Sequence, residues 1–349
     1  MVTQVLSYAD KKRWIEILEE LPSGLASVFA HPDYMSLYSA TESLRLFVKK
    51  EKENSYLYPF VERSIPAFEK YTDISSTYGY GGPLVSGRNE EFVKCAINEV
   101  RDYLTSRNAV VELIKLNPLL EEQNRKICEH FYGTSKVMRQ VVSIPVVKGA
   151  GKLLVEEYKR ENRKAVRRAT NAGVTIEIST DDAIWDHFIR LYRSTMEHNQ
   201  ADRKYSVDES FGMAVRKKLK GNYVLVAARY EGKVISVLLI LYDRLNAYCH
   251  LIGTELDPKL RNLQANNLLH HVAADWAHQQ GLIELMIGGG RTDSEDDTLL
   301  RFKASFARQK KEFVACEAIL NEDIYLKIKE VGKSSANKDG LLFYRESLV

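Results

Sequence analysis

The chain has 349 residues, of which 45% are hydrophobic and 28% charged, and a formal net charge of +3. These values are typical of a globular protein of about two domains. They exclude a polycation, so any contact with phosphate or nucleic acid must come from a local basic patch. The sequence shows no signal-peptide pattern and no apolar run near the roughly 20 residues that span a bilayer. We therefore expect a cytoplasmic protein without a membrane span.

In the first half, hydrophobic spacing and turn residues predict helices, a hairpin, a glycine-rich loop, a helix and two strands. The predicted segments are a helix over 10–20, a short helix from His31, strands over 44–50 and 55–63, a helix over 89–107 capped by Asn89, and strands over 109–116 and 137–146.

The second half shows a longer version of the same order. The predicted segments are a helix ending at Gly173, a strand over 174–179, helices over 181–199 and 207–220, a hairpin over 223–243, a strand over 246–253, a helix over 262–281, a strand over 282–290, a helix from about Thr298, a strand over 312–319 and a terminal helix. Because the halves match in order, we infer a duplicated α/β unit with mixed sheets.

The glycine-rich stretch "STYGYGGPLVSG" lies between the hairpin and the helix of the first half. So many glycines cost backbone entropy, so a sharp turn or a close approach to the backbone must require them. We interpret Tyr78 and Tyr80 as side-chain walls of a ligand loop, with Gly81 and Gly82 as open backbone. A purely structural loop remains the alternative.

The stretch "YKRENRKAVRRATNAGV" contains six basic residues against the single acid Glu161. Arg160, Arg163 and Arg167 fall at helical spacing and form one stripe. Guanidinium groups bind phosphate oxygens bidentately, so the stripe predicts phosphate or nucleic-acid binding. A solvated helix face is the alternative.

A predicted buried strand runs into Gly288, Gly289, Gly290 and Arg291 within "LMIGGGRTDSEDDTLLRFKASFA". Ligands in open α/β sheets bind beyond the carboxyl ends of strands, and glycines there let a substrate reach the backbone amides. A tight strand exit is the alternative. The four cysteines, Cys95, Cys128, Cys249 and Cys316, form neither a CxxC motif nor a zinc-ligand spacing. We interpret them as buried free thiols and predict no metal site.

Taken together, these motifs resemble the FemABX-like branch of the GNAT acyltransferase superfamily, which includes peptidoglycan interpeptide aminoacyltransferases and FemAB-like proteins of polysaccharide gene clusters. The stretches that carry the resemblance are "YGYGGP", "RENRKAVRRATNAGV", "LYRSTMEHNQADRKY", "LIGT" followed by "NNLL", and "GGG" followed by "DTLLRFKASF". The resemblance implies an α/β fold of two tandem GNAT-like domains with mixed, largely antiparallel sheets. We place them at residues 1–150 and 151–317, with 318–349 packing back on the first domain.

The resemblance also implies transfer of an aminoacyl or acyl group to an amine, with no metal or redox cofactor. In the peptidoglycan members the donor is an aminoacyl-tRNA, and the acceptor is a wall precursor peptide carried on a UDP-linked sugar or a lipid. We therefore predict an N-acyltransferase that acts on a cell-wall peptide precursor. The alternatives are an acyltransferase for a nucleotide-linked amino sugar of surface polysaccharide, and a non-catalytic GNAT-like binding module.

Carried over residue by residue, the family's "FK" pair is present here as Phe302 and Lys303. Because the lysine of this pair lies in the family's reaction cleft, the resemblance implies substrate binding by Phe302 and a catalytic role for Lys303. Its ammonium group would stabilise the tetrahedral intermediate or the leaving oxygen. Asp297 and a substrate phosphate are the alternatives for the proton acceptor. The other implied substrate-binding residues are the stripe Arg160, Arg163 and Arg167 and the candidates Tyr192, Arg203 and Tyr205.

The coenzyme loop of acetyl-CoA-dependent GNATs has the form R/Q-x-x-G-x-G/A. In the matching stretch from Arg261, Gln264 and Asn266 occupy the two small positions. Side chains there would crowd phosphates that dock on the amides. We therefore expect another activated acyl donor rather than acetyl-CoA. The chain also lacks the coiled-coil arm of some relatives, and we expect a monomer.

Overall fold

The computed structural model describes residues 2–25, 27–200, 207–292, 294, 296–331 and 340–345. It consists of two compact units, with Met1–Arg139 and Glu312–Val349 in unit 1 and Gln140–Lys311 in unit 2. The domain limits at residues 150 and 317 stay a prediction.

The secondary structure alternates between strands and helices along the chain. The strands are β1 Val2–Ser7, β2 Leu44–Glu51, β3 Asn54–Ile65, β4 Phe68–Ser75, β5 Leu84–Ser86, β6 Ala109–Lys115, β7 Thr134–Pro145, β8 Thr175–Ser179, β9 Tyr223–Tyr230, β10 Lys233–Tyr242, β11 Asn246–Thr254, β12 Glu284–Gly289 and β13 Lys310–Ile319. The helices are α1 Lys11–Glu19, α2 Pro32–Met35, α3 Glu90–Ser106, α4 Glu121–His130, α5 Gly149–Glu156, α6 Arg160–Asn171, α7 Asp182–His198, α8 Glu209–Lys218, α9 Pro258–Arg261, α10 Ala265–Gln279, α11 Thr298–Lys303 and α12 Glu322–Val331.

Unit 1 contains a sheet of order β1-β2-β3-β4-β6-β13, with the short β5 paired to β3. Its neighbours are antiparallel except β4 and β6, which run parallel. Helix α3 connects this parallel pair and packs its apolar face on the sheet. As predicted, the side chain of Asn89 caps α3 by accepting a hydrogen bond from the Phe92 N–H, at 3.1 Å.

Unit 2 contains a sheet of order β7-β12-β11-β10-β9-β8. Here too the neighbours are antiparallel except one pair, β11 and β12, which helix α10 connects. Leu269, Ala273 and Ala277 of α10 are fully buried in the core against the sheet. The prediction of a duplicated unit with mixed, largely antiparallel sheets is confirmed.

Four elements of unit 1 are missing from the sequence prediction: β1, β4, β5 and α4. Strand β4 is rich in polar residues, which hid it from a hydrophobic pattern. Its Asp73 is nevertheless fully buried, where it forms ion pairs with Arg63 at 2.7 Å and with Arg345 at 2.5 Å. Such pairing is the condition under which a buried charge is tolerated.

The core of unit 1 also contains a second buried acid, Glu112 on β6. Its side chain is fully buried and accepts a hydrogen bond from the Tyr132 hydroxyl. Burial raises the pKa of Glu112 from 4.5 to about 7, and the hydrogen bond from Tyr132 only partly opposes this effect. The carboxyl group is therefore protonated in the folded protein under mildly acidic conditions.

We predict that Glu112 makes the protein less stable as the pH rises. Between pH 4.5 and about 7 the folded state holds a proton that the unfolded state has lost, so stability decreases across this window by roughly 3 kcal/mol at most. Glu112→Gln, which stays neutral, should raise the melting temperature at pH 8 and change it little at pH 5. Glu129→Gln, an exposed acid on α4, is the control. An equal effect of Glu112→Gln at both pH values would contradict the assignment.

Candidate active site

The parallel strands β11 and β12 separate at their carboxyl ends. Among the described residues, their register covers Asn246–Tyr248 and Glu284–Met286. Beyond it, Gly288 and Gly289 pair with β7, whereas β11 continues along β10 to Thr254. Ligands in open α/β sheets bind outside such strand ends. We call this opening within unit 2 the strand gap.

A β-bulge lies in β11 where the strand gap begins. Leu239 is opposite Leu251 and Ile240 is opposite Cys249, so the register skips His250. Bulges re-aim side chains and are frequent beside active sites. Burial lowers the pKa of His250 to about 3 and raises the pKa of Cys249 to about 12. Both side chains are therefore neutral at pH 7.

Lys303, the last residue of α11, lies at the strand gap. Its Nζ donates a hydrogen bond to the carbonyl oxygen of Gly289, the last residue of β12, at 2.8 Å. Burial is the main cause of the raised pKa of Cys249 and of the lowered pKa of His270. The charge of Lys303 opposes the first shift and adds to the second. The predicted catalytic lysine is thus a half-buried cation near two neutral side chains.

Phe302 helps to hold α11 against α10. Its ring packs edge-to-face on His270 and on Phe306, with centroid distances of 5.6 and 5.3 Å. The imidazole of His270 is buried, and burial lowers its pKa to about 4. Its Nδ1 donates to the carbonyl oxygen of Asn266 one turn earlier, at 2.8 Å. This packing fixes the orientation of α11 and hence the position of Lys303.

Asp297 is the N-cap of α11 rather than an exposed base. One carboxylate oxygen accepts the N–H of Leu300 at 2.8 Å, and the other accepts those of Arg291 and Thr292 at 2.9 and 3.0 Å. These backbone hydrogen bonds, that from Leu300 above all, lower the pKa of Asp297 to about 2. A carboxylate of so low a pKa is a weak proton acceptor at neutral pH. The geometry therefore gives Asp297 a structural role.

Two of the three consecutive glycines, Gly288 within β12 and Gly290 just after it, have local structural reasons. Gly288 has a positive φ of 81° at a register shift between β12 and β7. A Cβ at Gly290 would lie 2.7 Å from the Asp297 carboxylate. Arg291, predicted to bind substrate, donates from its guanidinium to the Asn199 side chain at 3.0 Å. The Asp297 cap thus explains why the chain needs a glycine at position 290.

The segment that contains the strand gap is similar to a known protein family. A family model described as "Acetyltransferase (GNAT) domain" matches residues 156–303, a segment that lies within unit 2 and includes the strand gap. Residues 156–303 form a GNAT domain. Lys303 is the last residue of this match.

Solved structures with similar folds cover nearly the whole chain. A structure described as FemX is 14% identical, covers 94% of this chain and 100% of that chain, and has a TM-score of 0.70. An L-PGS structure from Bacillus licheniformis is 11% identical, covers 92% of this chain and 94% of that chain, and has a TM-score of 0.57.

A third similar structure is a tandem GNAT protein from the clavulanic acid biosynthesis pathway. It is 10% identical, covers 92% of this chain and 99% of that chain, and has a TM-score of 0.50. At these identities the likeness shows the fold. The predicted tandem GNAT fold is confirmed, and the predicted resemblance to FemAB-like proteins is confirmed as a likeness of fold. No curated protein sequence matches the chain, and none of the described helices is long and apolar enough to cross a membrane.

The basic stripe of the GNAT domain divides into two kinds of arginine. Arg160 and Arg167 are exposed on α6. Arg163 is half-buried, and its guanidinium donates to the carbonyl oxygens of Tyr158 at 3.1 Å and Val155 at 3.4 Å. These carbonyls lie at and just after the end of α5, so Arg163 holds the turn between α5 and α6. Arg160 and Arg167 are the better candidates for an anionic ligand.

A buried amide pair connects α6 to α10 and to the segment after α11. The Asn267 side chain donates to Asn162 Oδ1 at 2.8 Å, and Asn162 Nδ2 donates to the carbonyl oxygen of Ser305 at 3.4 Å. Asn162 is 1% exposed. Sequence analysis did not single out this asparagine, because the surrounding arginines dominate the motif. It fixes the chain two residues after Lys303.

The remaining candidate residues in unit 2 are less suited to direct contact with a substrate. Tyr192 on α7 is 3% exposed, and a Cβ at Gly253 of β11 would lie 2.3 Å from its backbone nitrogen. Tyr192 therefore belongs to the packing of α7 on β11. Arg203 and Tyr205 lie outside the described residues.

The glycine-rich loop of unit 1 packs tightly against its own surroundings. The Tyr34 hydroxyl donates to the carbonyl oxygen of Tyr78 at 2.9 Å. A Cβ at Gly79 or Gly82, which both have positive φ, would lie 2.9 Å from Phe29 or 2.7 Å from Leu116. These contacts within unit 1 are enough to explain why glycine is needed at both positions, with no contact to a ligand.

The two tyrosines of this loop are half-buried in an aromatic cluster. Tyr78 stacks on Tyr38 at a centroid distance of 4.7 Å, and Tyr80 packs edge-to-face on Phe29 and Phe313, both at 5.3 Å. The loop follows β4, whose counterpart in unit 2 is β11. The loop therefore corresponds in position to the segment after β11, and not to the glycine run at the end of β12.

The start of α10 takes the place of a coenzyme loop in the GNAT domain. Gln264, the N-cap residue, has a left-handed conformation with φ of 62°. Asn266 Nδ2 donates to the Thr254 hydroxyl at 3.2 Å. Within the described ranges, no group of three or more His, Cys, Asp or Glu side chains is placed to hold a metal ion.

We predict that Gly290→Ala disturbs the candidate site. Its Cβ would meet the Asp297 carboxylate and the Leu300 Cβ, at 2.7 and 2.9 Å. The variant should be destabilised by about 1–3 kcal/mol, measured by denaturant unfolding. Gly151→Ala is the matched control, because the residue is helical and nothing lies within 4 Å of the position that its Cβ would take. Equal stability of both variants would contradict the proposed cap.

Proposed function

We propose that the protein is an N-acyltransferase of FemABX type, which transfers an aminoacyl or acyl group to an amine of a cell-wall peptide precursor. The observation that carries the proposal is the position of Lys303. Its ammonium group is held at the strand gap of a GNAT domain by the last carbonyl of β12, 2.8 Å away. The likeness in fold to a structure described as FemX supports the choice of FemABX-type transfer over other acyl transfer reactions.

In the proposed reaction the acceptor amine attacks the carbonyl carbon of the donor and forms a tetrahedral oxyanion. A fixed cation near the developing negative charge stabilises this state more than the ground state. The hydrogen bond to Gly289 restricts Lys303, and the packing of Phe302 on His270 restricts the helix that carries it. Little reorganisation is then needed as the charge develops.

A proton must leave the attacking amine. The backbone hydrogen bonds of Asp297, and the pKa of about 2 that they produce, make this carboxylate a poor acceptor. Of the two acceptors considered from the sequence, we therefore retain a substrate phosphate. Asp297 contributes through the N-cap of α11, which positions Lys303.

The start of α10 supports a donor other than acetyl-CoA. Side chains stand at Gln264 and Asn266, and the second of them is hydrogen-bonded to Thr254 on β11. An amide side chain in this position reduces the room for a pyrophosphate at the helix start. An aminoacyl-tRNA is the donor we propose, which places the reaction in the cytoplasm.

The exposed arginines of α6 supply the proposed contact with phosphates. Arg160 and Arg167 would bind either the tRNA end or the diphosphate of a UDP-linked precursor. Tyr78 and Tyr80 remain proposed substrate contacts of unit 1, because both are half-buried rather than enclosed.

The decisive experiment combines purified protein with charged tRNAs, acyl-CoAs, UDP-linked muramyl peptides and UDP-linked amino sugars, and follows the mass of the acceptor. Transfer from a charged tRNA to a muramyl peptide supports the proposal. Acylation of a UDP-linked amino sugar alone would support the polysaccharide alternative. Binding of a precursor without any transfer would support the binding module.

We predict that Lys303→Ala lowers kcat by about 10²–10³-fold, the usual loss when one oxyanion-stabilising donor is removed. Binding of the acceptor should change little, because the lysine acts on the charge that develops later. Product mass over time gives the rate, and calorimetry gives the affinity.

Lys310→Ala, an exposed lysine of β13, is the control and should keep the wild-type rate. A Lys303→Ala variant with an unchanged rate would eliminate the catalytic role. If the melting temperature shows that Lys303→Ala unfolds, Lys303→Arg is measured in its place. Its rate should lie between those expected for Lys303→Ala and the wild type.

We predict that the double variant Arg160→Gln/Arg167→Gln binds tRNA or the UDP-linked precursor roughly tenfold more weakly at low salt. The slope of log affinity against log salt should become shallower, because fewer counterions are released. Lys217→Gln/Lys220→Gln on and after α8 removes the same charge from exposed positions and is the control. Equal losses for both double variants would indicate a general effect of charge instead of a site on α6.

A further inference from the structure

Two of the four cysteines meet in unit 1, although 188 positions separate them in the sequence. Cys128 lies on α4 and Cys316 on β13, and their sulfur atoms are 3.9 Å apart. A disulfide bond requires about 2 Å, so the sulfurs must approach by roughly 2 Å for a bond to form. Cys95 and Cys249 have no comparable cysteine neighbour among the described residues.

The two thiols differ in their access to solvent. Cys316 is fully buried in the register of β13 with β6, opposite Ile114. Cys128 is half-buried and packs at the edge of the same hydrophobic core. A small oxidant in solution therefore reaches Cys128 first.

The surroundings also favour Cys128 as the nucleophile. The hydrogen bond between the two thiols lowers the pKa of Cys128 and raises the pKa of Cys316. The Ser135 hydroxyl, 3.4 Å from the sulfur of Cys316, adds a further polar contact. The buried carboxyl of Glu112, when ionised, makes a smaller contribution in the same direction and also raises the pKa of Cys316. The thiolate is the reactive form of cysteine.

We propose that Cys128 and Cys316 form a thiol–disulfide modification site that responds to peroxides. The Cys128 thiolate attacks one oxygen of hydrogen peroxide, which forms a sulfenic acid and releases hydroxide. The sulfur of Cys316 then displaces the sulfenic hydroxyl, which takes the Cys316 proton and leaves as water. The proton that Cys128 lost on forming its thiolate neutralises the hydroxide. Two thiols and one hydrogen peroxide thus give one disulfide and two waters.

The bond would join α4 to β13, two elements that are far apart in the sequence. Because it would close a long loop, the oxidised form should be more resistant to unfolding than the reduced form. The bond should be reversible, since a dithiol can attack the half-exposed sulfur of Cys128. This inference does not depend on the proposed acyl transfer.

The test treats the wild-type protein with a small excess of hydrogen peroxide and quenches remaining thiols with an alkylating reagent. Peptide mapping should find one peptide pair linked through Cys128 and Cys316, with the mass lower by two hydrogen atoms. Dithiothreitol should restore both free thiols. The oxidised protein should show a melting temperature several degrees higher.

Three variants sharpen the test. Cys128→Ser and Cys316→Ser should each abolish the crosslink and the peroxide-dependent rise in melting temperature. Cys95→Ser removes the exposed thiol of α3 and should change neither. The proposal fails if wild-type protein gives only links between molecules through Cys95, or only sulfinic or sulfonic acid at Cys128 without a Cys128–Cys316 peptide. Because mapping uses the wild-type chain, this result stands even if a variant does not fold.

Discussion

The candidate site depends on where two parallel strands stop pairing. Strands β11 and β12 share a register up to Tyr248 and Met286, and then each follows its other neighbour. Three features lie at this point: the bulge at His250, the end of β12 at Gly289, and the side chain of Lys303. Where two parallel strands pair, their facing N–H and C=O groups bond to each other. Where the strands separate, these groups face the gap and a ligand can bind to them.

The helix that carries Lys303 has only six residues and contributes little stability of its own. Three contacts compensate for its length: the Asp297 cap at its start, the packing of Phe302 on His270, and the lysine hydrogen bond to Gly289. Just beyond its end, Ser305 is fixed by Asn162. The carboxylate that the sequence suggested as a base therefore supports the proposed catalytic lysine indirectly, by holding its helix. The same cap explains the need for glycine at position 290.

Much of the fold was predictable, because it follows from local periodicity and turn chemistry. Amphipathic spacing and the Asn89 cap indicated α3, and the buried apolar runs indicated the hairpin of β9 and β10. Strand β4 was missed because its buried Asp73 is tolerated only through ion pairs with Arg63 and Arg345, which are distant in sequence. Within the candidate site, the basic helix was recognised, but the distinction between the exposed Arg160 and the structural Arg163 depends on carbonyls of the preceding turn.

The sequence by itself determined most of the order of the elements, the duplicated α/β architecture and the resemblance that pointed to Lys303, because each of these depends on local composition and on motifs along one chain. Tertiary structure decided which groups meet. It brought Lys303 within hydrogen-bond distance of Gly289 and made Asp297 the N-cap of α11 instead of a free carboxylate. It also packed Tyr192 against Gly253 and placed Cys128 next to Cys316. The reason is physical: burial, hydrogen bonding and pKa depend on distances between atoms, and strands that pair across a sheet bring together residues whose spacing in the sequence carries no sign of their contact.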